Sequence, residues 1–362
     1  MKERMIRFTR GVPATESFDP KHLIDCAKDV IEQQTDVILQ YGASRGFIPL
    51  REQLALKDGV DPNLVILGQG SLQLLDICVR VMVKDENLVY TENPSYDRAL
   101  TIFKRGGCQI RGFELEKDGV NVGAIETRLR QGDRPNIFYI IPDFQNPSGT
   151  VLSFEKRKKI ANLAKEYNFL VIEDSPYRNL RYRGITIPSI FELAPERVIK
   201  MSSFSKVICP GLRVGFMIIP ETIIDSIARW AEDTYINSSY INQAIVHEYQ
   251  QRGFLEKHIQ FLKDLYRPRL DAMLKALEQH MTSLATWNKP EGGFFVGVTL
   301  NKKMQAENLL NRAQESNLLL TDGRNFFTDA NGDQFIRLPF CALTTDEIEE
   351  GIARLAQVLK TF

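Results

Sequence analysis

The chain has 362 residues, of which 43% are apolar and 25% are charged, and its 46 basic residues balance 46 acidic ones. This composition is typical of a globular protein with a sizeable core, and the charge balance offers no overall attraction to nucleic acid or an anionic membrane. No apolar run reaches the roughly 18 residues of a membrane span, and Met1–Arg7 is too polar to be a secretory signal. We therefore expect a cytoplasmic protein of two domains that binds neither nucleic acid nor membrane.

Cysteine and histidine usage argues against a metal site and against a disulfide framework. The cysteines are odd in number, none of them forms a CxxC pair, and the histidines do not cluster with them. We expect no bound metal, and we expect free thiols in a reducing compartment at Cys26, Cys78, Cys108, Cys209 and Cys341.

The N-terminal region is predicted to be irregular, with a turn at Arg10–Pro13. Asp19 directly before Pro20 is a helix start signal, and the predicted helix extends to about residue 34. A loop follows at 41–46, and a second helix is expected to begin near Ile48.

From residue 64 onward, short apolar runs alternate with helical patterns such as Ser71–Val83 and Tyr96–Arg105. The apolar runs are typical of strands buried on both faces, and repeated strand–helix units favour a mainly parallel sheet with helices on both sides. The predicted fold class is therefore α/β, with a mainly parallel seven-stranded sheet in a large domain. The predicted strands are Leu64–Leu67, Leu88–Tyr90, Gln109–Glu114, Ile137–Ile141, Phe169–Ile172, Val198–Lys200 and Val214–Ile219.

The C-terminal part is predicted to form a smaller α+β unit. Two long helical patterns cover Glu221–Gln251 and Glu256–His280, and we expect the second helix to bend at Pro268. Three strand-like segments and a terminal helix follow, at Phe294–Leu300, Leu318–Thr321, Gln334–Leu338 and Thr345–Leu359. We expect an N-terminal segment, 1–40, that packs on the small domain, a large domain, 41–255, and a small C-terminal domain, 256–362.

A lysine lies shortly after one of the buried strands, at the end of Ser202–Lys206. A buried amine loses solvation, its pKa falls, and it becomes a nucleophile toward carbonyls. The hydroxyls of Ser203 and Ser205, with Arg213 shortly beyond them, suit a phosphate group. The combination suggests a Schiff base with pyridoxal 5′-phosphate (PLP), and the alternative is a solvated lysine in a serine-rich loop.

Two more loops follow predicted strands. Gly68–Ser71 joins a strand to a helix, and its free amides suit a phosphate unless the glycines only cap a turn. Asn146–Gly149 is either a β-turn or a site at which the Asn146 amide binds a phenolic oxygen or a carboxylate. The carboxyl ends of parallel strands are where ligands bind in such sheets.

Two buried charges complete the set of candidates. Asp174 ends an apolar strand and needs a donor or a cation, which a pyridinium nitrogen would supply, whereas the alternative is a helix N-cap. Arg337 lies in an apolar strand, and its planar fork suits a substrate α-carboxylate or, alternatively, a structural salt bridge.

In their order and spacing these motifs resemble the PLP-dependent aminotransferases of fold type I. The resemblance is stronger to the 2-aminoadipate and aromatic aminotransferase group, which is related to the catalytic domain of MocR-type regulators. It extends over nearly the whole chain and rests on Gly11–Pro13, Tyr41–Gly46, Gly70–Ser71, Asn93–Tyr96, Asn146–Gly149, Asp174–Tyr177, Ser203–Lys206, Pro210–Arg213, Gly292–Phe295 and Arg337.

The resemblance implies that Lys206 is the Schiff-base lysine and moves a proton between substrate Cα and cofactor C4′. It implies that Asp174 pairs with the pyridine nitrogen, that Tyr177 and Asn146 bind the ring phenolate, and that Tyr96 stacks on the ring. It assigns the cofactor phosphate to Ser71, the Leu72 backbone, Ser203, Ser205 and Arg213. It assigns the substrate carboxylate to Arg337, Asn146 and the Gly11 backbone, and it places Tyr41 in the site of the neighbouring subunit of a homodimer.

The chain departs from the family pattern in three places. Leu72 follows Ser71 where the family usually has glutamine, so only the Leu72 backbone is available there. Arg10 stands where the family often has glycine, and it projects toward the substrate side chain or lies solvated in a loop. Relatives commonly carry a longer N-terminal stretch with a helix that covers the substrate, and we expect this lid to be missing or replaced.

The leading functional hypothesis is a ping-pong aminotransferase that moves an amino group between an L-amino acid and a 2-oxo acid such as 2-oxoglutarate. A second hypothesis keeps PLP but breaks another bond, as a decarboxylase, a β-lyase or a racemase does. A third is the ligand-sensing domain of a MocR-type regulator. We do not favour the third, because the stretch before Tyr41 leaves no room for a basic winged-helix domain.

Overall fold

The structure, a computed structural model, describes residues 4–9, 11–83, 87–329 and 331–362. Arg10 lies outside these residues. The strands are β1 (Ile6–Phe8), β2 (Val65–Gly68), β3 (Leu88–Asn93), β4 (Gln109–Glu116), β5 (Gly119–Val120), β6 (Ile137–Ile140), β7 (Leu170–Asp174), β8 (Val198–Ser203), β9 (Gly215–Ile218), β10 (Ala285–Trp287), β11 (Phe295–Leu300), β12 (Leu318–Leu320) and β13 (Phe335–Pro339).

The α-helices are α1 (Pro20–Gln33), α2 (Thr35–Ile38), α3 (Ile48–Asp58), α4 (Ser71–Met82), α5 (Asp97–Arg105), α6 (Val122–Arg130), α7 (Phe154–Tyr167), α8 (Ile190–Leu193), α9 (Glu221–Tyr235), α10 (Tyr240–Gln251), α11 (Phe254–His280), α12 (Ala306–Glu315) and α13 (Thr345–Lys360). In the described part of the chain, no helix combines the length and the apolar character that crossing a membrane requires.

The large sheet has the strand order β2-β9-β8-β7-β6-β3-β4-β5. Strands β8, β7, β6, β3 and β4 are parallel, whereas β9 is antiparallel to both of its neighbours and β5 is antiparallel to β4. The prediction of a mainly parallel sheet is confirmed, but the expected count of seven strands is one too low. The additional strand, β5, has two residues, and a strand that short shows no periodicity in the sequence.

The sheet is buried on both faces, which explains the continuous apolar character of its strands. Successive residues of β6 belong to different hydrophobic clusters, since Phe138 and Ile140 join one cluster and Ile137 and Tyr139 join the other. Side chains alternate between the two faces of a strand, so each cluster is the core on one side of the sheet. Parallel strands between two layers of helices bring their carboxyl ends to one edge.

The segment predicted as one helix over Glu221–Gln251 is two helices, so that prediction is wrong. Helix α9 ends at Tyr235, Ile236 adopts a left-handed φ of 64°, and α10 begins at Tyr240. Three polar residues fill the gap, and the Asn237 side chain accepts a hydrogen bond from the amide of Gly42. Short polar side chains compete with helical hydrogen bonds, which permits the break.

The chain after α11 contains an antiparallel sheet with the order β10-β11-β13. The N-terminal strand β1 pairs in parallel with β12, which ties the start of the chain to this region. Helix α1 packs instead against α10, so the first forty residues contact both parts of the molecule. Helix α11 continues through Pro268. The division at residues 40 and 255 stays a prediction.

Candidate active site

One cavity of about 440 Å³ lies at the carboxyl edge of the large sheet. Its walls come from the loops that follow β2, β6, β7 and β8, from the strand β13, and from the N-terminal residues Thr9, Gly11 and Val12. This is the edge at which parallel α/β sheets bind ligands. The predicted site residues that line it are Gly11, Ser71, Leu72, Tyr96, Asn146, Asp174, Tyr177, Ser203, Ser205, Lys206, Arg213 and Arg337.

Tyr41 is the predicted site residue that the structure does not place in this cavity. The residue is 76% exposed and lies on a loop that follows α2. Its expected role in a neighbouring subunit stays a prediction.

Lys206 is held at the cavity wall in a short helical turn directly after β8. Its Nζ donates to the backbone oxygen of Gly11 over 2.9 Å and lies 5.6 Å from the centre of the Phe294 ring. Burial lowers the pKa of this amine, and the nearby charges of Arg337 and Arg213 act in the same direction. A lowered pKa increases the fraction of neutral, nucleophilic amine at neutral pH.

Asp174 is a buried carboxylate that is only half satisfied. Its Oδ2 accepts a hydrogen bond from the Tyr139 hydroxyl over 2.8 Å, while the buried Oδ1 has no hydrogen-bond partner in the described chain. Burial raises the pKa of Asp174 to about 7, against the opposing effects of the Tyr139 hydrogen bond and the Lys206 charge. A buried oxygen without a partner is costly, and a cationic donor in the cavity would remove that cost.

Arg337 projects from β13 and is clamped between two aromatic rings, those of Phe295 and Phe326, at 4.8 and 4.7 Å. Its two terminal nitrogens donate to Asn146 Oδ1 over 3.1 Å and to the Thr9 backbone oxygen over 2.8 Å. Among the described residues no carboxylate forms an ion pair with Arg337, and its Nε is buried without a partner. The structural salt bridge considered from the sequence is therefore not observed, and the guanidinium has donors left for a ligand.

The amide orientation of Asn146 follows from this contact. Arginine can only donate, so the oxygen of Asn146 must face Arg337 and its nitrogen is available as a donor to the cavity. The neighbouring Gln145 braces the same loop, because its amide contacts Glu92 Oε2 over 3.3 Å and the Pro94 backbone oxygen over 2.8 Å.

Hydroxyls, a guanidinium and helix amides converge at the other end of the cavity. Ser203 Oγ and Ser205 Oγ are 2.9 Å apart, and Arg213 approaches Ser205 Oγ at 3.4 Å and donates to the Gln69 backbone oxygen over 2.9 Å. Helix α4 begins at Ser71 with no side-chain cap, which leaves its first amides free. This donor set, at a positive helix terminus, suits a phosphate.

The approach of Arg213 to this helix depends on Gly70. Gly70 has a left-handed φ of 87°, and a Cβ on it would lie 2.5 Å from an Arg213 nitrogen. A glycine is required here both for the backbone conformation and for the space.

Two tyrosines complete the walls. Tyr177 is buried against the edge of Phe295, at 5.8 Å between ring centres, and burial raises its pKa well above the ordinary value. Tyr96 precedes α5, and burial raises its pKa to about 12. Both hydroxyls are therefore protonated donors at neutral pH.

Sequence reasoning missed several contributors to the site: Thr9, Glu92, Tyr139, Gln145, Phe294 and Phe326. Tyr139 carried a signal, because a hydroxyl within a fully buried apolar strand requires a partner. The contact of Thr9 with Arg337 joins residues 328 positions apart, and no local pattern indicates it.

The comparisons with known proteins agree with this geometry. A sequence model of the family described as Aminotransferase class I and II matches residues 3–355. The aromatic-amino-acid aminotransferase 1 of Thermococcus litoralis is 34% identical, and the alignment covers 98% of this chain and 88% of that protein.

Two solved structures have nearly the same fold. LysN, an α-aminoadipate aminotransferase from Thermus thermophilus complexed with N-(5′-phosphopyridoxyl)-L-leucine, has a TM-score of 0.93 at 33% identity, over 99% of this chain and 92% of that chain. A kynurenine aminotransferase of Pyrococcus horikoshii has a TM-score of 0.95 at 34% identity, over the same shares of 99% and 92%. The chain belongs to the class I and II aminotransferases. The predicted family and fold type I architecture are confirmed.

The protein is accordingly a PLP-dependent aminotransferase, which uses an amino acid and a 2-oxo acid as substrates. The residues that line the cavity fit this cofactor. The cavity contains a buried carboxylate with one unpartnered oxygen, a primary amine with a lowered pKa, and a group of hydrogen-bond donors suited to a phosphate.

Proposed function

We propose that this aminotransferase transfers the amino group of an L-amino acid to a small 2-oxo acid, such as 2-oxoglutarate, by a ping-pong sequence in this cavity. The observation that carries the proposal is the combination, within one space, of the Lys206 amine, the half-satisfied Asp174 carboxylate and an Arg337 guanidinium that pairs with no carboxylate among the described residues. Bound PLP supplies an electron sink for the bond at the substrate α-carbon.

In this proposal the phosphate end of the cofactor is held by Ser71, the Leu72 amide, Ser203, Ser205 and Arg213. These groups need no rearrangement of the backbone, because the amides of α4 and the hydroxyls after β8 already line the cavity. The Leu72 side chain does not weaken this end, since only its backbone takes part.

Asp174 receives the ring nitrogen as its missing donor partner, and Tyr177 and Asn146 donate to the phenolic oxygen of the ring. Tyr96 packs against the ring face. Lys206 holds and moves the proton at its Nζ, for which a lowered pKa is an advantage at neutral pH. Its contact with Gly11 shows that Nζ reaches across the cavity to the N-terminal residues.

The substrate carboxylate binds to Arg337, with the Asn146 amide and the Gly11 backbone as further donors. Desolvation between two aromatic rings strengthens a charge-assisted hydrogen bond at this guanidinium. An arginine fixed at two of its nitrogens also presents its remaining donors in a defined direction, so it sets the orientation of the α-carbon relative to Lys206.

We further propose that the protein is a cytoplasmic homodimer with shared active sites. Several apolar residues near Tyr41 in the sequence are exposed, with Val37 at 51%, Leu39 at 64% and Ile48 at 53% exposure. Exposed apolar residues of this kind are typical of an interface between subunits. The free cysteines of the chain suit a reducing compartment.

A panel of amino acids, added one at a time to the purified holoenzyme without a 2-oxo acid, tests the reaction type. We expect at least one amino acid to convert the bound cofactor to its amine form and to release a stoichiometric amount of 2-oxo acid. Release of carbon dioxide, release of ammonia, or inversion of the amino acid in place of that product would overturn the proposal in favour of another PLP reaction.

A further inference from the structure

Tyr139 has no assigned role, although among the described residues its hydroxyl is the group that hydrogen-bonds the Asp174 carboxylate at the centre of the site. It lies on β6, adjacent to β7, and the register places it directly opposite Ile172, two residues before Asp174. Its hydroxyl donates to Asp174 Oδ2 over 2.8 Å, and its ring packs edge-on against Phe103 at 5.7 Å. Both residues are buried, so water does not compete with this hydrogen bond.

We propose that Tyr139 is a positioning residue that holds Asp174 ionised, with the free oxygen Oδ1 directed at the ring nitrogen of the cofactor. The inference rests on the proposed function, in which Asp174 pairs with that nitrogen. The structural basis of the inference is the difference between the two carboxylate oxygens of Asp174. Oδ2 accepts a hydrogen bond from Tyr139, whereas Oδ1 is buried and has no partner among the described residues.

The electrostatics of the neighbourhood require such a donor. Burial alone favours the neutral form of the Asp174 carboxyl. The Tyr139 hydroxyl acts in the opposite direction, because a hydrogen bond to a carboxylate stabilises its charged form. The Lys206 charge also favours the carboxylate.

Tyr139 can only act as the donor in this pair. Burial and the neighbouring carboxylate raise its pKa well above the ordinary value, so the phenol keeps its proton over the whole working range of pH. A fixed donor on Oδ2 fixes the orientation of the carboxylate and leaves Oδ1 as the acceptor for a ligand. A protonated ring nitrogen then completes the pair.

The test compares binding of two ligands to the cofactor-free full chain by calorimetry. Pyridoxamine 5′-phosphate has the ring nitrogen, and its deaza analogue has carbon in that place, so the ratio of their dissociation constants reports the contact with Asp174. We expect the unmutated chain to prefer the nitrogen-containing ligand and Tyr139→Phe to reduce that preference on the order of tenfold, as the loss of a hydrogen bond to a charged group implies.

Tyr90→Phe is the matched control. Tyr90 is a buried tyrosine on the neighbouring strand β3, it donates to Asp133 Oδ2 over 2.6 Å, and it packs edge-on against Phe113 at 4.7 Å, but it lies on the opposite face of the sheet, away from the cavity. It therefore controls for loss of a tyrosine–aspartate hydrogen bond as such. We expect this variant to keep the ligand preference of the unmutated chain within about twofold.

A double-variant cycle adds an independent readout. Once Asp174 is replaced by Asn, Tyr139→Phe should have no further effect on the preference, because both changes act on one contact. An unchanged preference in Tyr139→Phe with intact circular dichroism overturns the inference and leaves the role of Asp174 standing. No preference in the unmutated chain overturns the role of Asp174 and the inference with it.

Discussion

The residues around the cavity divide into groups that are satisfied by the protein and groups that are left for a ligand. Protein partners are present for Asp174 Oδ2, one Lys206 hydrogen and two Arg337 nitrogens, whereas Asp174 Oδ1 and Arg337 Nε have none in the part of the chain that the structure describes. Unsatisfied polar atoms inside a folded protein cost stability, so they are informative when they converge on one space.

Lys206→Ala should keep PLP in the site through its other contacts but should remove the covalent link to the protein. We expect at least about a 10²–10⁴-fold loss in turnover, because the group that moves the proton is gone. Borohydride reduction followed by intact-mass analysis checks the link. Lys200→Ala, on the preceding strand β8, is the control that should still be labelled, since Lys200 pairs with Asp58 outside the cavity. Labelling of Lys206→Ala would contradict the assignment.

Arg337→Lys should weaken substrate binding without weakening cofactor binding. A lysine keeps the charge but lacks the fork, so we expect KM for the amino acid to rise about 10–100-fold, with an unchanged PLP dissociation constant. Arg324→Lys is a suitable control, because Arg324 pairs with Asp322 on the surface. A matching loss of PLP affinity in Arg337→Lys would indicate a structural role instead.

Buried carboxyls make the stability of the cofactor-free protein depend on pH. Burial raises the pKa of Asp174 to about 7 and that of Glu92 to about 8, above the values of an unfolded chain. The folded state then binds more protons, so this contribution to stability is complete below about pH 4 and is lost as pH rises toward 7 and 8.

The unmutated chain should therefore lose unfolding free energy between pH 5 and pH 8 as Asp174 gives up its proton. The Asp174→Asn variant has no such proton, so it should lose up to about 3 kcal/mol less over the same pH interval. Urea denaturation of the cofactor-free chain at the two pH values measures this change. The same variant should bind PLP more weakly, so that stability and function respond in opposite directions. If the unfolding free energies of the variant and the unmutated chain depend equally on pH, ionisation of Asp174 does not destabilise the folded state.

At the scale of elements, the phosphate end combines a helix terminus with a left-handed glycine. Helix α4 starts directly after Gly70, and Arg213, itself in a left-handed conformation with φ of 54°, packs where a Cβ on Gly70 would lie. The Arg213 guanidinium can therefore keep this position only while residue 70 has no side chain.

Gly70→Ala should cost stability and also raise the dissociation constant for PLP, because it displaces the Arg213 guanidinium. Gly59→Ala is the matched control, since Gly59 has a φ of 66° but no atom within 4 Å of a new Cβ. We expect Gly59→Ala to lose about 1 kcal/mol of unfolding free energy and no PLP affinity. Equal PLP affinity in both variants would mean that Arg213 does not depend on the glycine.

At the scale of the whole molecule, a single chain gives no role to the exposed loop that carries Tyr41. If Tyr41 completes the site of a second subunit, two inactive homodimers carrying Lys206→Ala and Tyr41→Ala should complement each other. A mixed dimer has one site with both defects and one with neither, so unfolding and refolding an equal mixture should restore up to about a quarter of the unmutated activity. Separate refolding of each variant is the control. If the mixture forms mixed dimers but recovers no activity, Tyr41 acts in the site of its own subunit.

Local sequence was sufficient for the fold class and for much of the candidate site. Buried strands, a glycine before a helix and a charged residue at a strand end are each visible within a few residues of chain, since hydrophobic periodicity and backbone conformation are local properties. For this reason the sequence alone singles out Lys206, Asp174 and Arg337, and the folded chain brings all three into one cavity.

Tertiary packing sets which partners those residues have. The hydrogen bond of Tyr139 to Asp174 and that of Arg337 to Thr9 join segments that are distant in the sequence. Whether a charged group is satisfied, and in which direction it points, depends on atoms contributed by distant residues. Residue identity and local pattern thus specify which groups can do the chemistry, whereas only the packed chain determines that one oxygen of Asp174 and one nitrogen of Arg337 have no partner among the described residues.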